Sequence, residues 1–283
     1  MRGRLRAELR GRIPEELLEL VPSSFDIVGS REKAIGIIEI PAGLEEYERE
    51  IAEAMMDANK NIMSVLAKES ERTGEFRTRE YRIITGDPDT EVLHKEAGCL
   101  FRVDPRRVYF STRESTERER LVAEVQGSED ILVMFSGIAP LPIRIARAHK
   151  QVRVTGVELN PEAHNYAVEN IFLNKVADRV RLIQGDVREV CPSMGEMFDR
   201  VLMPLPRGAY LFLDVAIPPL KEGGTLHFYH WSPEKEPFTG AEKLISEAAT
   251  RAGKRHCITN RVRVSQYSPR VWKIRLDVQF CDK

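Results

Sequence analysis

Long apolar runs, closely spaced cysteines and a strong net charge are all missing from this chain of 283 residues. No apolar segment approaches the roughly 20 residues needed to span a membrane, and no apolar signal segment follows the basic N-terminus. The four cysteines form no C-x-x-C pair, which argues against a zinc site and against a disulfide framework. With a formal net charge of −1, the composition predicts a globular cytoplasmic enzyme of two domains with no bound metal.

Acidic residues are absent from Ala248 to Leu276, although the whole chain carries 44 of them. This span holds eight basic residues, namely Arg251, Lys254, Arg255, Arg261, Arg263, Arg270, Lys273 and Arg275. Such a span is typical of a surface that faces phosphates, and Arg255, Arg261 and Arg263 are the candidate contacts. A solvated basic face is the alternative interpretation, and a second group of arginines lies in residues 2–12.

The hydrophobic pattern of the first hundred residues differs from that of the rest. The segment from Phe25 to Pro41 alternates as strands do, and the segment from Leu44 to Ala58 has apolar residues at helical spacing. Residues 1–100 are therefore predicted to form a small α+β domain, with residues 101–283 as the second domain.

From Asp130 onward, short apolar runs alternate with helical stretches, which is typical of a doubly wound, mostly parallel sheet. The last two apolar segments, Ile258 to Gln266 and Val271 to Phe280, are separated only by a bend. Because no crossover helix fits between them, they predict an antiparallel C-terminal hairpin. The fold class is therefore α/β for the second domain.

The candidate residues of a cofactor pocket lie at the ends of three successive strands of this predicted sheet. The dinucleotide fingerprint G-x-G-x-x-G is absent, and the first strand is followed by a loop with Gly137 as its single glycine. Glu158 ends the second strand, 21 residues further on, where an acid can accept hydrogen bonds from both ribose hydroxyls. Asp186 follows the third strand, close to the expected position of an adenine amino group. This pattern favours S-adenosylmethionine over NAD.

Glu117 is the candidate general base. Ser115 and Thr116 are residue types that cap helices, so Glu117 is predicted in the first turn of a helix that runs to Glu124. A carboxylate there, near a cofactor pocket, can accept a proton. Simple helix capping is the alternative interpretation.

Several motifs in the chain resemble those of one enzyme family, the archaeal and eukaryotic type of tRNA (guanine-37 N1)-methyltransferase. The matching segments are GEFRTRE (Gly74 to Glu80), VYFSTRESTER (Val108 to Arg118), MFSGIAP (Met134 to Pro140), ELNPEAHNYAVENIFLNKV (Glu158 to Val176), GDVREV (Gly185 to Val190), MPLP (Met203 to Pro206) and SQYSPRVW (Ser265 to Trp272). The resemblance extends over nearly the whole chain. It implies a class I methyltransferase fold with an added N-terminal domain, S-adenosylmethionine as cofactor and tRNA as partner, with no obligate protein partner.

The resemblance also implies roles for individual residues. Glu117 would take the N1 proton of the target guanine, and Arg77 would hold the guanine and stabilise charge at its O6 atom. The acid-free span, and not the resemblance, predicts that Arg255, Arg261 and Arg263 contact tRNA. The residues expected around the cofactor are Tyr109, Arg113, Phe135, Gly137, Glu158, Leu159, Asp186, Val187 and Leu205.

Three positions depart from the family pattern. Val133 stands where the family usually has Asp, and Ala139 stands in place of a second glycine. Pro204 replaces the Asn of the usual Asn-Leu-Pro motif, so no side-chain amide is present there. Two alternatives therefore stay open: the wybutosine-pathway enzyme that transfers the aminocarboxypropyl group of the same cofactor, and an inactive RNA-binding homologue.

Overall fold

The computed structural model describes residues 2–70, 76, 79–195 and 197–282. Its Cα atoms group into two units, Met1–Ser115 and Thr116–Lys283. Close packing alone does not show where a chain separates into independently folding parts, so the domain boundary near residue 100 stays a prediction. Among the described residues, no helix has both the length and the apolar character that a membrane crossing requires.

The first unit contains a four-stranded mixed sheet, in the order β1-β2-β3-β4. The strands are β1 (Asp26–Gly29), β2 (Ala34–Ile38), β3 (Ile62–Lys68) and β4 (Tyr81–Gly86). Strands β2 and β3 are parallel, and the other two pairs are antiparallel. The helices are α1 (Arg2–Leu9), α2 (Glu48–Ala58) and three 3-10 segments at Glu15–Leu20, Glu45–Tyr47 and Thr112–Glu114. An antiparallel hairpin of β5 (Val92–Glu96) and β6 (Cys99–Val103) completes this α+β unit.

Helix α2 packs against the sheet through the apolar spacing that predicted it. Its buried residues include Ile51 and Met55, and every residue of β2 is buried. Gly36 in β2 has no side chain because a Cβ atom there would lie 2.8 Å from the terminal methyl of Met55. A larger residue at this position would therefore displace the end of the Met55 side chain.

The second unit is built on a seven-stranded sheet, in the order β12-β13-β11-β10-β7-β8-β9. Its strands are β7 (Asp130–Met134), β8 (Arg153–Glu158), β9 (Val180–Gln184), β10 (Phe198–Met203), β11 (Leu220–Pro233), β12 (Lys254–Ser268) and β13 (Val271–Asp282). Its helices are α3 (Ser115–Glu124), α4 (Pro140–Ala148), α5 (Pro161–Leu173), α6 (Val187–Ser193), α7 (Leu213–Ala216) and α8 (Thr239–Arg251), with a 3-10 segment at Ala209–Phe212.

The predicted parallel sheet and antiparallel C-terminal pair are both confirmed. Strands β7 to β11 are mutually parallel, whereas β13 pairs antiparallel with both β11 and β12. The last strand in the chain is therefore inserted between two earlier strands. The tight bend before β13 contains Arg270, whose φ of 64° lies in the left-handed region.

Two predicted helix starts have different outcomes. Asn160 caps α5 as expected, because its side chain accepts a hydrogen bond from the Glu162 N–H group at 3.0 Å, and Pro161 follows at the first helical position. The predicted caps of α3 are wrong: a 3-10 turn precedes this helix, so Ser115 already has helical angles. Glu117 nevertheless lies in the first turn of α3.

The two faces of the sheet differ at β11 and β13. On one face, Phe228 and Leu276 belong to an apolar core that also contains Ile245 of α8. The alternate residues point to the opposite face, and there Tyr229 and Arg275 are hydrogen-bonded to a carboxylate of α3. This polar but buried face holds part of the candidate active site.

Candidate active site

The loop after β7 lies at the carboxyl edge of the parallel sheet, where ligands bind in open α/β folds. Phe135, Gly137 and Ala139 all have left-handed backbone angles, with φ of 57°, 57° and 63°. Glycine adopts this conformation without strain, whereas alanine does so at a cost of about 1 kcal/mol or more. The loop is held by buried Asn170 of α5, whose side-chain amide donates to the Ile138 carbonyl oxygen at 3.2 Å.

Glu158 at the end of β8 closes onto this loop. One carboxylate oxygen accepts from the Gly137 N–H group at 2.7 Å and the other from the Asn160 N–H group at 2.8 Å. Burial raises the pKa of Glu158, although N–H groups of Asn160, Gly137 and Leu159 act in the opposite direction. A carboxylate has about four acceptor sites, so these N–H groups leave capacity to accept from a ligand hydroxyl.

Asp186 lies one strand further along the same edge. Its side chain caps α6 by accepting from the Arg188 N–H group at 2.8 Å, and the adjacent Val187 is buried. The end of β9 is tied to β8 by a hydrogen bond of 2.9 Å from the Gly185 N–H group to the Glu158 carbonyl oxygen. Gly137, Glu158 and Asp186 therefore follow three neighbouring strands, as the sequence predicted.

Aromatic and apolar side chains line the same part of the molecule. The Phe135 ring contacts the Phe212 ring edge to face, with centroids 4.9 Å apart, and the Arg188 guanidinium lies 4.3 Å from the Phe212 centroid. Leu205, at the end of β10, packs against the core of the second unit. Its N–H group donates to the Met203 carbonyl oxygen at 2.7 Å, so Pro204 occupies the centre of a three-residue turn that suits its fixed φ.

Glu117 is buried against the polar face of the sheet, with only 4% of its surface exposed. Its Oε1 atom accepts two short hydrogen bonds, from the Tyr229 hydroxyl at 2.6 Å and from Nη1 of Arg275 at 2.7 Å. Its Oε2 atom lies 3.4 Å from Nη1 of Arg120. Burial raises the pKa of Tyr229, and the Glu117 charge raises it further, so the phenol stays protonated and donates.

Arg275 connects Glu117 to a larger buried network. Its Nη2 atom donates to Glu124 of α3 and, at 3.0 Å, to Oδ2 of Asp277. Oδ1 of Asp277 lies 2.6 Å from Nδ1 of His227, whose Nε2 lies 2.5 Å from Nη1 of Arg200. Because arginine can only donate, Nε2 of His227 accepts and Nδ1 carries the hydrogen.

The ionisation of the network follows from burial and charge. Burial lowers the pKa of His227, so its ring is neutral. Burial also acts to raise the pKa of Asp277, but His227 and Arg275 outweigh it and hold that pKa below its ordinary value. Donor atoms of Glu124, His227 and Asp277 lie within 4.8 Å of one another, as in a metal site. The Arg275 guanidinium, however, already supplies a positive charge to both carboxylates.

Three of the predicted site residues belong to the first part of the chain. Tyr109 and Arg113 lie in the first unit, and Nε of Arg113 donates to Asp26 of β1 at 2.5 Å. Their contact with a cofactor stays a prediction. Arg77 lies outside the described residues.

The acid-free span lies on β12 and β13, and its interpretation as one surface is wrong in part. Lys273 and Arg275 are buried, because they point to the polar face of the sheet. Arg255, Arg261 and Arg263 are exposed on β12. Arg261 is paired with Glu242 at 2.6 Å, and the Arg263 guanidinium lies 5.6 Å from the Trp272 ring centroid. Their contact with tRNA stays a prediction.

Tyr229 and Arg275 are the site residues that the sequence interpretation missed. The alternation of Lys273, Arg275 and Asp277 with apolar residues is typical of a strand with one solvated face. That face is buried in this protein. The feature of the sequence that could have indicated this burial is the excess of acidic residues on the facing helix, α3. The sequence alone does not show that this helix packs against these strands, because that contact depends on the order of the strands in the sheet.

Comparisons with known proteins agree with this geometry. Residues 92–258 match the TRM5/TYW2 methyltransferase domain, and residues 5–90 match the TYW2 N-terminal domain. The tRNA (guanine(37)-N(1))-methyltransferase Trm5b of Pyrococcus abyssi is 38% identical over 265 residues, which cover 94% of this chain and 77% of that protein.

Two further similarities involve Pyrococcus horikoshii. Its tRNA(Phe) (4-demethylwyosine(37)-C(7)) aminocarboxypropyltransferase is 30% identical over 284 residues, covering 99% of this chain and 97% of that protein. The crystal structure of P. horikoshii TYW2 in complex with MeSAdo superposes with a TM-score of 0.81 at 26% identity, covering 100% of both chains. The match to the catalytic domain spans more than half of the chain, and this protein therefore belongs to the TRM5/TYW2 methyltransferase family.

Proposed function

We propose that this protein is an S-adenosylmethionine-dependent tRNA methyltransferase that modifies N1 of guanosine 37, next to the anticodon. The observation that carries the proposal is the 38% identity to a tRNA (guanine(37)-N(1))-methyltransferase over 94% of the chain. The second unit supports it with a class I methyltransferase sheet and a buried carboxylate, Glu117, held by side-chain donors. The cytoplasm is the proposed location.

The carboxyl edge of the sheet fits an adenosine-containing cofactor. Glu158 would accept hydrogen bonds from the ribose hydroxyls through its remaining lone pairs, and Asp186 would accept one from the adenine amino group. Gly137 allows the backbone to approach closely, and Phe135, Leu159, Val187 and Leu205 would provide apolar contacts. S-adenosylmethionine supplies an electrophilic methyl group when it is bound. Tyr109 and Arg113 are proposed as further cofactor contacts, as the resemblance implies.

Methylation at guanine N1 needs a base, because N1 carries a hydrogen in the neutral nucleobase. Glu117 is proposed to accept this proton as the N1 electron pair attacks the methyl carbon. Arg77 is proposed to donate to guanine O6, where negative charge develops, since its guanidinium stays ionised. Pro204 has no side-chain amide, so orientation of the guanine has to rest on other groups.

A second candidate function is transfer of the aminocarboxypropyl group to a modified guanosine of tRNA. The observation that favours it is the match of residues 5–90 to a TYW2 N-terminal domain. Both reactions would use the same nucleoside pocket, so Glu158 and Asp186 do not distinguish them.

Two labels on the cofactor distinguish these functions. We expect the purified protein to transfer label from the methyl group of S-adenosylmethionine, and not from its aminobutyrate carbons, to an unmodified tRNA transcript. A transcript with adenosine at position 37 is the control and should take up neither label. Aminobutyrate label in tRNA that carries 4-demethylwyosine would establish the second function instead, and no transfer to either RNA would indicate an inactive RNA-binding homologue.

The variant Glu117→Gln tests the proposed base. The amide oxygen can still accept from Tyr229 and Arg275, so we expect the site to keep its shape while single-turnover methyl transfer falls by roughly a hundredfold. Cofactor affinity, measured by calorimetry, should be unchanged. The matched control is Glu119→Gln on the same helix, whose side chain is 67% exposed. A parental transfer rate in Glu117→Gln would leave Glu117 as a structural residue only.

The variant Glu158→Ala tests the ribose contact. Loss of a charged acceptor shared by two hydroxyls should weaken S-adenosylmethionine binding by about 1.5 to 3 kcal/mol, as measured by calorimetry. Glu189→Ala removes an exposed acid from the first turn of α6 and should bind the cofactor normally. An affinity of Glu158→Ala within twofold of the parent would show that β8 does not border the ribose.

The exposed arginines of β12 are proposed to bind tRNA phosphates. No register shift separates Arg261 and Arg263, so both point to the same face of the strand. Tyr267 lies toward the end of the same strand and is 53% exposed, and Trp231 of β11 stacks on it with ring centroids 3.9 Å apart. Basic side chains beside exposed aromatic rings are typical of surfaces that bind single-stranded RNA.

Replacing Arg261 and Arg263 together by Ala should weaken tRNA binding and reduce its salt dependence by about one to two units of slope. Filter binding over a salt series measures this slope, and calorimetry should show unchanged cofactor binding. The control is Arg153→Ala, which removes an arginine with an 81% exposed side chain from the start of β8. An unchanged slope in the double variant would place the tRNA elsewhere, with the arginines of residues 2–12 as the next surface to replace.

A further inference from the structure

We propose that Tyr229 and Arg275 are positioning residues, which hold Oε1 of Glu117 and leave Oε2 as the atom that accepts the guanine N1 proton. This inference rests on the proposed function, because it concerns the base of that reaction. The two oxygens of the Glu117 carboxylate then have different roles.

The two oxygens of Glu117 have different surroundings. Oε1 accepts from both the Tyr229 hydroxyl and the Arg275 guanidinium, at 2.6 and 2.7 Å, so both of its lone pairs are used. Among the described residues, the group that approaches Oε2 is Nη1 of Arg120, at the long distance of 3.4 Å. The Arg120 side chain is 47% exposed, so water can replace this contact at little cost. Oε2 is therefore the oxygen available to a substrate.

The donors to Oε1 are themselves held firmly. Tyr229 and Arg275 are at most 1% exposed, and Arg275 also donates to Glu124 and Asp277. A guanidinium bound to three carboxylates cannot rotate without breaking several charged hydrogen bonds. Glu117 is thereby fixed relative to β11 and β13, in the sheet whose carboxyl edge carries the proposed cofactor residues. Such preorganisation is what proton transfer in a closed site requires.

The charges around Glu117 leave it as the proton acceptor of this cluster. Its direct neighbours are Arg120 on its own helix, Tyr229 on β11 and Arg275 on β13. Behind Arg275 lie Glu124, Asp277 and neutral His227. Arg120 and Arg275 stay protonated, and burial raises the pKa of Tyr229, so none of the three direct neighbours takes up a proton.

The proposed reaction combines one proton transfer with one methyl transfer. The N1–H bond of guanine breaks and its proton passes to Oε2 of Glu117. The N1 electron pair forms the bond to the methyl carbon, while the carbon–sulfur bond breaks and leaves its electron pair on sulfur. Tyr229 and Arg275 keep their hydrogens throughout, so they act on the reaction through Glu117.

The variant Tyr229→Phe removes one donor from Oε1 and keeps the buried ring. We expect single-turnover methyl transfer to slow by roughly tenfold, with unchanged cofactor affinity. The lost donor stabilises the ionised carboxylate, so the acidic limb of the pH–rate profile should move to higher pH. Tyr166→Phe is the matched control, since it removes a hydroxyl from another tyrosine of the same unit that is only 7% exposed. It should keep the parental rate and profile.

A double-mutant cycle separates positioning from a general structural effect. If Tyr229 acts through Glu117, Tyr229→Phe should slow transfer in the parent but cause almost no further loss in Glu117→Gln. Arg275→Lys, which keeps the charge but loses the fork of donors, should show the same non-additivity. Thermal unfolding identifies any variant that fails to fold.

The outcomes are distinguishable. Absence of methyl transfer by the parent protein overturns the proposed function, and this inference with it. Methyl transfer that depends on Glu117, together with a parental rate and pH profile in Tyr229→Phe, overturns the positioning role alone. Equal fractional losses from Tyr229→Phe in the parent and in Glu117→Gln also overturn it, since the hydroxyl would then act independently of the carboxylate.

Discussion

The buried guanidinium of Arg275 is the interaction on which the arrangement of the second unit depends. It forms ion pairs with Glu117 and Glu124 from α3 and with Asp277 from its own strand. Burying carboxylates without such a partner costs several kcal/mol for each charge, so this guanidinium stabilises the packing of α3 against this face of the sheet. The position of the proposed base therefore follows from a residue that lies 158 positions further along the chain.

Two carboxylates of this unit, the buried Glu117 and the half-buried Glu158, are held by different kinds of donor. Glu158 is held by backbone N–H groups of its own turn and of the loop after β7, so its surroundings depend mainly on the path of the chain. Glu117 is held by side chains from two strands, so its surroundings depend on residue identity. Substitutions of these side chains can therefore change the surroundings of Glu117 without changing those of Glu158. This division suits a family whose members transfer different groups from one cofactor.

Local signals in the sequence were sufficient to place Gly137, Glu158 and Asp186 at one edge of the sheet. Gly137, Glu158 and Asp186 each follow a strand with clear apolar character, and parallel strands necessarily bring such turns to one edge. The capping of α5 by Asn160 was likewise predictable, because it involves only adjacent residues. The start of α3 was misplaced because a 3-10 turn precedes it, and Ser and Thr also fit within a first helical turn.

The polar face of β11 and β13 was not predictable in the same way. Alternation of polar and apolar residues gives the correct periodicity of β13 but does not say whether its polar face meets water or a helix. Arg275 was consequently grouped with the exposed arginines of the acid-free span. Its burial depends on the order of strands in the sheet, and the insertion of β13 between β11 and β12 is a long-range feature that no local pattern encodes.

That insertion has a consequence for how the protein is made. Because β12 is hydrogen-bonded in the sheet only through β13, β11 remains an unpaired edge until β13 has left the ribosome. Until then, Glu117 and Glu124 of α3 lack the Arg275 guanidinium with which they pair. During synthesis, the edge that carries Gly137, Glu158 and Asp186 can thus assemble before Glu117 acquires its Arg275 partner.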